Sequence, residues 1–290
     1  MMGQMQEKIN KESFVLDEND NNGLILNNLY IPEEVLASVL YYVDHKSLVK
    51  CMSVCKRWNQ LIRNYVWRKK SETIVGRLLP ADDEHLPWSL HYLICKPHGP
   101  FERNLVKNHS GSEGLKKHWH IIRNQGNQWA IEEPPCGVPA LPETEPLFHE
   151  RKTCFVTSYH YCSKTQTINL IKEGLTPHIL DEVQPPIQFS EWYSARYDCG
   201  AIYECLVTLL KNDDEVLTSF EFADSLTDEK QHVWLQVNHI FQNYGRGLRK
   251  IKLWHQGKDI RYWYGHYGSK MAGACIKVKI PLFQDDKKEK

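Results

Sequence analysis

Bond-breaking chemistry needs a nucleophile beside a base, two acids flanking the bond, or several metal ligands at fixed spacing. The chain offers fragments of each and groups none of them. Asp198 and Glu204 are carboxylates near one another in sequence, but no further acid, base or nucleophile gathers with them. His118 and His120 alternate, which puts them on one face of a strand or loop rather than around an ion. Cys51 and Cys55 lie four apart on a helix, with no His or Cys pair at ligand spacing nearby. No G-x-S-x-G, Walker A or dinucleotide fingerprint occurs. Turnover, a metal and a cofactor are therefore not expected. Binding is another matter, because Tyr262-Trp263-Tyr264 sets aromatic rings side by side. Rings cover apolar faces of a ligand, while a carboxylate such as Asp198 accepts hydrogen bonds from its hydroxyls. Asp198 precedes Cys199 and Gly200, so a turn residue bonded to its own backbone is the competing reading.

The scaffold for these residues is read from periodicity. From Asn104 onward apolar residues alternate, over Gln128–Glu133, Thr153–Tyr161 and Ala201–Leu209. Further strands are expected at Val216–Phe222, Val233–Phe241, Leu248–His255, Tyr262–Tyr267 and Ala274–Ile280. Turn signals such as Asn124-Gln125-Gly126-Asn127 and Gly245-Arg246-Gly247 separate them. Thr165 to Leu180 fits either a strand or a short helix, and Pro134 to Pro146 reads as a long surface loop. Short strands at this spacing predict an antiparallel β-sandwich. Trp129, Trp192, Trp234 and Trp254 fall in strand-like patterns and are expected in its core.

The N-terminal part has a different period. Pro32 suits a first helical turn, and Val35, Leu36, Val39, Leu40 and Val43 follow as a helical stripe. A second stripe runs through Leu48, Met52, Cys55, Trp58, Leu61 and Ile62. Lys46, Lys50, Lys56, Arg57, Arg63, Arg68, Lys69 and Lys70 face the single acid Asp44, which suits an acidic partner helix. Nucleic acid is not expected, since 36 basic residues balance 36 acidic ones over the whole chain. The division expected is a polar flexible tail over 1–28, a helical module over 29–72, a helical linker over 73–103, a sandwich over 104–283 and a solvated end over 284–290. Pro87 opens a short helix within the linker.

With 290 residues, 41% of them hydrophobic, the chain has room for a small and a large packed domain. It contains no run of eighteen apolar residues, so membrane insertion is not expected. Met1 to Phe14 lacks an apolar h-region, and the nine cysteines show no paired spacings. Reduced thiols and a cytoplasmic location are the expectation.

Ile31-Pro32-Glu33-Glu34-Val35-Leu36, with Leu48, Val54-Cys55-Lys56-Arg57-Trp58, Leu61 and Trp67 in that order, resembles an F-box. That module docks substrate receptors onto the Skp adaptor of cullin-RING ubiquitin ligases. The resemblance implies adaptor contacts at Ile31, Pro32, Val35, Leu36, Leu48, Val54 and Trp58. The second part resembles the F-box-associated domain, a jelly-roll or galactose-binding-like sandwich found in sugar-recognising F-box proteins. Its landmarks are Arg103-Asn104-Leu105-Val106, Trp129-Ala130-Ile131-Glu132, Glu191-Trp192-Tyr193-Ser194-Ala195-Arg196-Tyr197-Asp198-Cys199-Gly200, Asn243-Tyr244-Gly245 and Tyr262-Trp263. In members of that family that bind glycans, the high-mannose core of N-linked chains sits among loops at one end of the sandwich. Carried over, the site falls on Tyr159, Asp198, Tyr262, Trp263 and Tyr264. The family's usual tip reads Tyr-Trp-Lys-Gly-Trp, whereas this chain has Tyr264 and His266 in place of the Lys and the second Trp. The implied function is a non-catalytic receptor that brings misfolded glycoproteins to the ligase for degradation after return from the endoplasmic reticulum. The alternative is a receptor for a protein degron that carries no sugar.

Overall fold

A computed structural model of the protein describes residues 22–77, 79, 86–148 and 152–281. The tails expected at 1–28 and 284–290 lie outside these residues, except for 22–28. The chain divides into two compact units, the first holding residues up to 83 with 87–97, the second 84–86 and everything from 98.

The first unit is helical. A minimal hairpin pairs β1 (Ile25–Leu26) with β2 (Leu29–Tyr30). It leads into α1 (Glu33–Tyr42), α2 (His45–Cys51) and α3 (Lys56–Leu61). A single wide π turn at Ile62–Val66 carries α3 into α4 (Trp67–Val75). Local chemistry sets these boundaries. Asp44 caps α2 by accepting from the Lys46 and Ser47 N–H groups at 3.0 Å. Bonds from Ser47 pull the Asp44 carboxyl down to about 2. Gly76, at φ 77°, ends α4 in the left-handed conformation that glycine adopts without strain.

Leu36, Leu40, Leu48, Met52, Ile62, Val66 and Trp67 form the core of this unit. The linker helix expected after Pro87 is α5 (Trp88–Cys95), and it packs on this core through Trp88, Tyr92 and Cys95. It is therefore part of the helical unit rather than a free spacer. Residues 22–28 also depart from expectation. Leu24 is buried, and Trp58 donates its indole N–H to the Gly23 carbonyl at 2.7 Å. A buried side chain and hydrogen bonds to the Gly23 and Leu24 carbonyls, the latter from the Ile31 N–H at 2.7 Å, anchor a stretch whose polar composition reads as a tail.

The second unit is the expected antiparallel sandwich. One sheet has the order β10-β7-β12-β5-β4, the other β3-β6-β11-β8-β9. The strands are β3 (His120–Asn124), β4 (Ala130–Glu132), β5 (Cys154–Val156), β6 (Cys162–Asn169), β7 (Ile187–Ser194), β8 (Ala201–Leu210), β9 (Val216–Leu226), β10 (Leu235–Phe241), β11 (Lys250–Asp259) and β12 (Lys270–Val278). Tyr262–Tyr267, expected as a strand, is the loop between β11 and β12. Ile187–Ser194, which period 2 alone did not pick out, is a strand buried between β10 and β12.

Apolar side chains such as Phe155, Phe189, Leu253 and Ile276 fill the space between the sheets, together with charged ones. Glu191 accepts from His255 Nδ1 at 2.8 Å and from the Tyr203 hydroxyl at 2.6 Å, and all three residues are buried. The Lys164 ammonium lies 4.6 Å from the Trp119 ring centroid and 4.5 Å from that of Trp129. Burial pushes the pKa values of Lys164 and His255 down. Of the tryptophans expected in the core, only Trp129 is fully buried. Trp192, Trp234 and Trp254 are half-buried, the first two against the cluster of Leu141, Phe148 and Ala272.

Candidate functional site

One end of the sandwich is built from loops that bond to one another. Ser158, just past β5, accepts from the Asn127 N–H at 2.8 Å and donates to the Gly265 carbonyl at 2.9 Å. Asn127 returns the contact by accepting from the Gly265 N–H at 2.7 Å, and its carbonyl meets His266 Nε2 at 3.0 Å. Three connections, before β4, after β5 and between β11 and β12, are thereby clasped together. At the root of the last, Asp259 accepts from the Arg261 and Tyr262 N–H groups at 3.0 and 2.9 Å. This Asx turn stops β11 and turns the chain outward. Gly265, at φ 87°, makes the second bend, where a Cβ would fall 2.9 Å from the Tyr267 ring.

The clasped loop leaves Trp263 82% and Tyr264 72% exposed, with Tyr262 only at the margin of exposure because it packs on Tyr267 at 4.5 Å between centroids. Adjacent residues in a loop escape the alternation of a strand, so neighbouring rings can both face water. Tyr159 is half-buried in the same clasp, its ring against Gly126, where a Cβ would come within 3.1 Å. Asp198 sits in a turn after β7. Arg196 grips both of its oxygens, at 2.8 and 3.0 Å, and holds the carboxyl below the usual carboxylate range, with the backbone N–H of Asp198 itself adding to the same effect. The Asp198 carbonyl accepts from Arg261 at 3.3 Å, and Ile260 donates to the Gly200 carbonyl at 3.2 Å, so this turn joins the same end.

All five residues expected at a ligand site thus lie on connected loops. The sequence reading missed Arg196, Asn127 and Ser158. The Arg-x-Asp spacing was a usable signal, since side chains two apart on an extended segment share a face. A groove of about 350 Å³ lined by Leu105, Lys107, His118, Gln166 and Glu173 shares no residue with this end.

On the helical unit, the residues expected to meet an adaptor divide. Pro32, Val35 and Val54 are exposed, and Ile31 and Trp58 are half-buried. Leu36 is 1% and Leu48 0% exposed, so both are core rather than contact residues. Val39 and Tyr42 are exposed on α1 beside Val35 and extend the apolar face. Several basic residues serve the fold. Arg57 pairs with Glu33 at 2.9 Å, Arg68 with Glu72 at 3.0 Å, and Lys70 donates to the carbonyls of Tyr41 and Val43. Lys46, Lys50 and Lys69 remain exposed. No helix among the described residues is long and apolar enough to cross a membrane.

Fold and sites define a two-part protein, a helical module joined to a β-sandwich whose exposed aromatic chemistry lies in its loops. Two family models match it, the F-box-like model over residues 29–73 and the F-box associated region over 97–278. The chain belongs to the F-box only proteins that carry this associated region. It is 33% identical to F-box only protein 27 of Mus musculus over 86% of this chain and 90% of that one. It is also 33% identical to human F-box only protein 17, over 87% and 92%, and 34% identical to F-box only protein 6 of Rattus norvegicus, over 86% and 85%. Among solved structures, TmCBM61 in complex with beta-1,4-galactotriose aligns with a TM-score of 0.36 at 12% identity, over 61% of this chain and 100% of that one. So loose a likeness bears on neither ligand nor chemistry.

Proposed function

We propose that this protein is the substrate-recognition subunit of an SCF ubiquitin ligase. In this reading it binds the high-mannose core of N-linked glycans on misfolded glycoproteins. The helical unit docks on the Skp adaptor, and through it on the cullin-RING ligase, by the exposed Pro32, Val35 and Val54. The sandwich captures cargo and catalyses nothing itself. The observation that carries the cargo half is the clasped loop, which offers Tyr262, Trp263 and Tyr264 to solvent beside the ionised Asp198 and Tyr159. Sugar rings present C–H faces for stacking and hydroxyls for a carboxylate, and this end supplies both. Since degradation of returned secretory proteins occurs in the cytoplasm, that is where the protein would act.

A glycan array probed with the full chain tests the cargo half, with Trp263→Ala as control. Binding to chitobiose-containing high-mannose chains, lost in the variant, is expected, and a blank array refutes glycan capture. Co-purification with the Skp adaptor, reduced by Val54→Asp, tests the docking half. A second reading rests on Tyr264 and His266, which stand where the family's glycan tip has Lys and Trp. It replaces the sugar by a protein degron on the same loops. Cargo capture that survives on deglycosylated substrates would favour it.

A further inference from the structure

The candidate site has two halves on different loops, and two arginines reach across them: Arg261 donates to the Asp198 carbonyl and lies 5.5 Å from the Tyr262 ring centroid, while Arg196 alone of the two grips the Asp198 carboxylate. Arg196 holds the Asp198 carboxylate through Nε and Nη2. The same guanidinium lies 4.5 Å from the Tyr267 ring centroid, and Tyr267 packs on Tyr262 at 4.5 Å. Its Nη1 also contacts Cys136 Sγ at 3.1 Å, and its own backbone carbonyl accepts from Gln231 at 3.2 Å. Gly137 makes room for this arrangement, because a Cβ there would fall 3.1 Å from the Arg196 side chain. The guanidinium is planar, so one face can stack while its edge forms a two-bond fork with a carboxylate. A lysine can do neither.

We propose that Arg196 is a positioning residue of the ligand site. It fixes the carboxylate of Asp198 and the ring of Tyr262 in one frame, so that acceptor and aromatic ledge meet a ligand together. Arg196 itself need not touch the ligand. The inference rests on the glycan reading for its ligand, but the frame exists without one. Preorganisation of this kind raises affinity by lowering the ordering cost at binding.

Two consequences follow. Without Arg196, the Asp198 carboxyl loses the charged partner that holds it low and takes up a proton at higher pH than in the native protein. Binding in the native protein then persists on acidification, while binding in a variant falls as Asp198 takes up a proton. The other charged or titratable groups around this frame are Arg261, Cys136, Tyr197, Tyr267 and His232, which packs on Tyr197. They are common to both proteins and cancel in the ratio of the two profiles. The second consequence needs no ligand, because loss of the stack frees the loop carrying Tyr262 and Trp263.

The test uses the full chain, with Arg196→Met and Arg196→Lys, and N,N′-diacetylchitobiose as probe. Both variants should bind about tenfold more weakly than the native protein at pH 7. The ratio of native to variant affinity should widen as pH falls from 6 to 4. Asp198→Asn combined with Arg196→Met should bind more weakly than Arg196→Met alone at pH 7, and should lose the dependence on pH between 6 and 4. In the ligand-free protein, amide hydrogen exchange over residues 261–265 should quicken about tenfold in Arg196→Met, while the strand amides of β8 and β11 stay protected. Unchanged loop exchange overturns the positioning role, whatever the ligand. Unchanged affinity and pH profile with quickened exchange overturns its link to binding. A native protein that ignores chitobiose while the loop responds refutes the glycan reading and leaves the frame supported.

Discussion

The two candidate binding surfaces are built on opposite plans. On the helical unit, Val35 and Val39 project from α1, whose other side is an apolar core. Their positions are fixed by the 3.6-residue repeat, and a flat partner can meet them. On the sandwich, aromatic residues project from irregular loops, and a lattice of hydrogen bonds among Asn127, Ser158, Asp259 and Gly265 fixes them. Packing supports the first surface and polar geometry the second. The difference teaches where each is vulnerable. Cavities will harm the helical surface through stability, whereas loss of a hydrogen bond or ring will harm the loop end through binding, with the sheets untouched.

The largest effect should separate core from surface within the helical unit. Leu48→Ala should cost about 3 kcal/mol in urea unfolding of that unit, as expected for a fully buried leucine, and adaptor capture should fall only as the unit unfolds. Val54→Ala should change stability by less than about 0.5 kcal/mol, yet weaken capture directly. Equal losses of stability would erase the distinction.

Acid should act on the same unit. His91 is buried, its Nδ1 is 2.8 Å from Ser71 Oγ, and burial pushes its pKa to about 4. The unfolded chain takes up a proton near pH 6.5 that the folded unit refuses until about pH 4. Stability is therefore complete above pH 6.5 and declines through this window, by on the order of 3 kcal/mol. Hydrogen exchange of α4 and α5 amides at pH 7 and 4.5 reads the decline, and His91→Gln should flatten it.

At the loop end, Trp263→Ala should weaken high-mannose binding about thirtyfold, roughly 2 kcal/mol. Its melting temperature should stay within about a degree of the native value, because the ring is exposed. A large fall in melting temperature would mean that packing, not presentation, governs this end as well. The smallest effect belongs to Tyr264→Lys, which restores the charged donor of the family's tip. Glycan affinity should rise a few-fold, roughly 0.5–1 kcal/mol, without any change in unfolding.

The sequence carried the architecture further than the site details. Pro32 and the ordered landmarks through Trp67 were enough for the helical module, and alternation was enough for most strands. The resemblance assigned Leu36 and Leu48 to the partner together with Val35 and Val54, and a helical stripe does not by itself tell which flank faces the core. Tyr262–Tyr267 alternates like a strand. Its loop form is set by the Asp259 cap and the positive φ of Gly265, which become visible only when the neighbouring loops are in place. Trp192 and Trp254 carry strand chemistry yet stand half-buried, because alternation gives a period and not the identity of the inward face. Arg196 was hidden in a landmark run, since its partner Tyr267 is distant in sequence.

The exposure of Tyr264 has a consequence for how such a protein can diverge. A side chain with 72% of its surface in water contributes little to folding, so nearly any residue is tolerated there. The clasp at Gly265 and Asn127 uses backbone and an amide, not the ring beside them. Descendants of this chain are therefore free to vary this exposed tip one residue at a time while inheriting the same clasp.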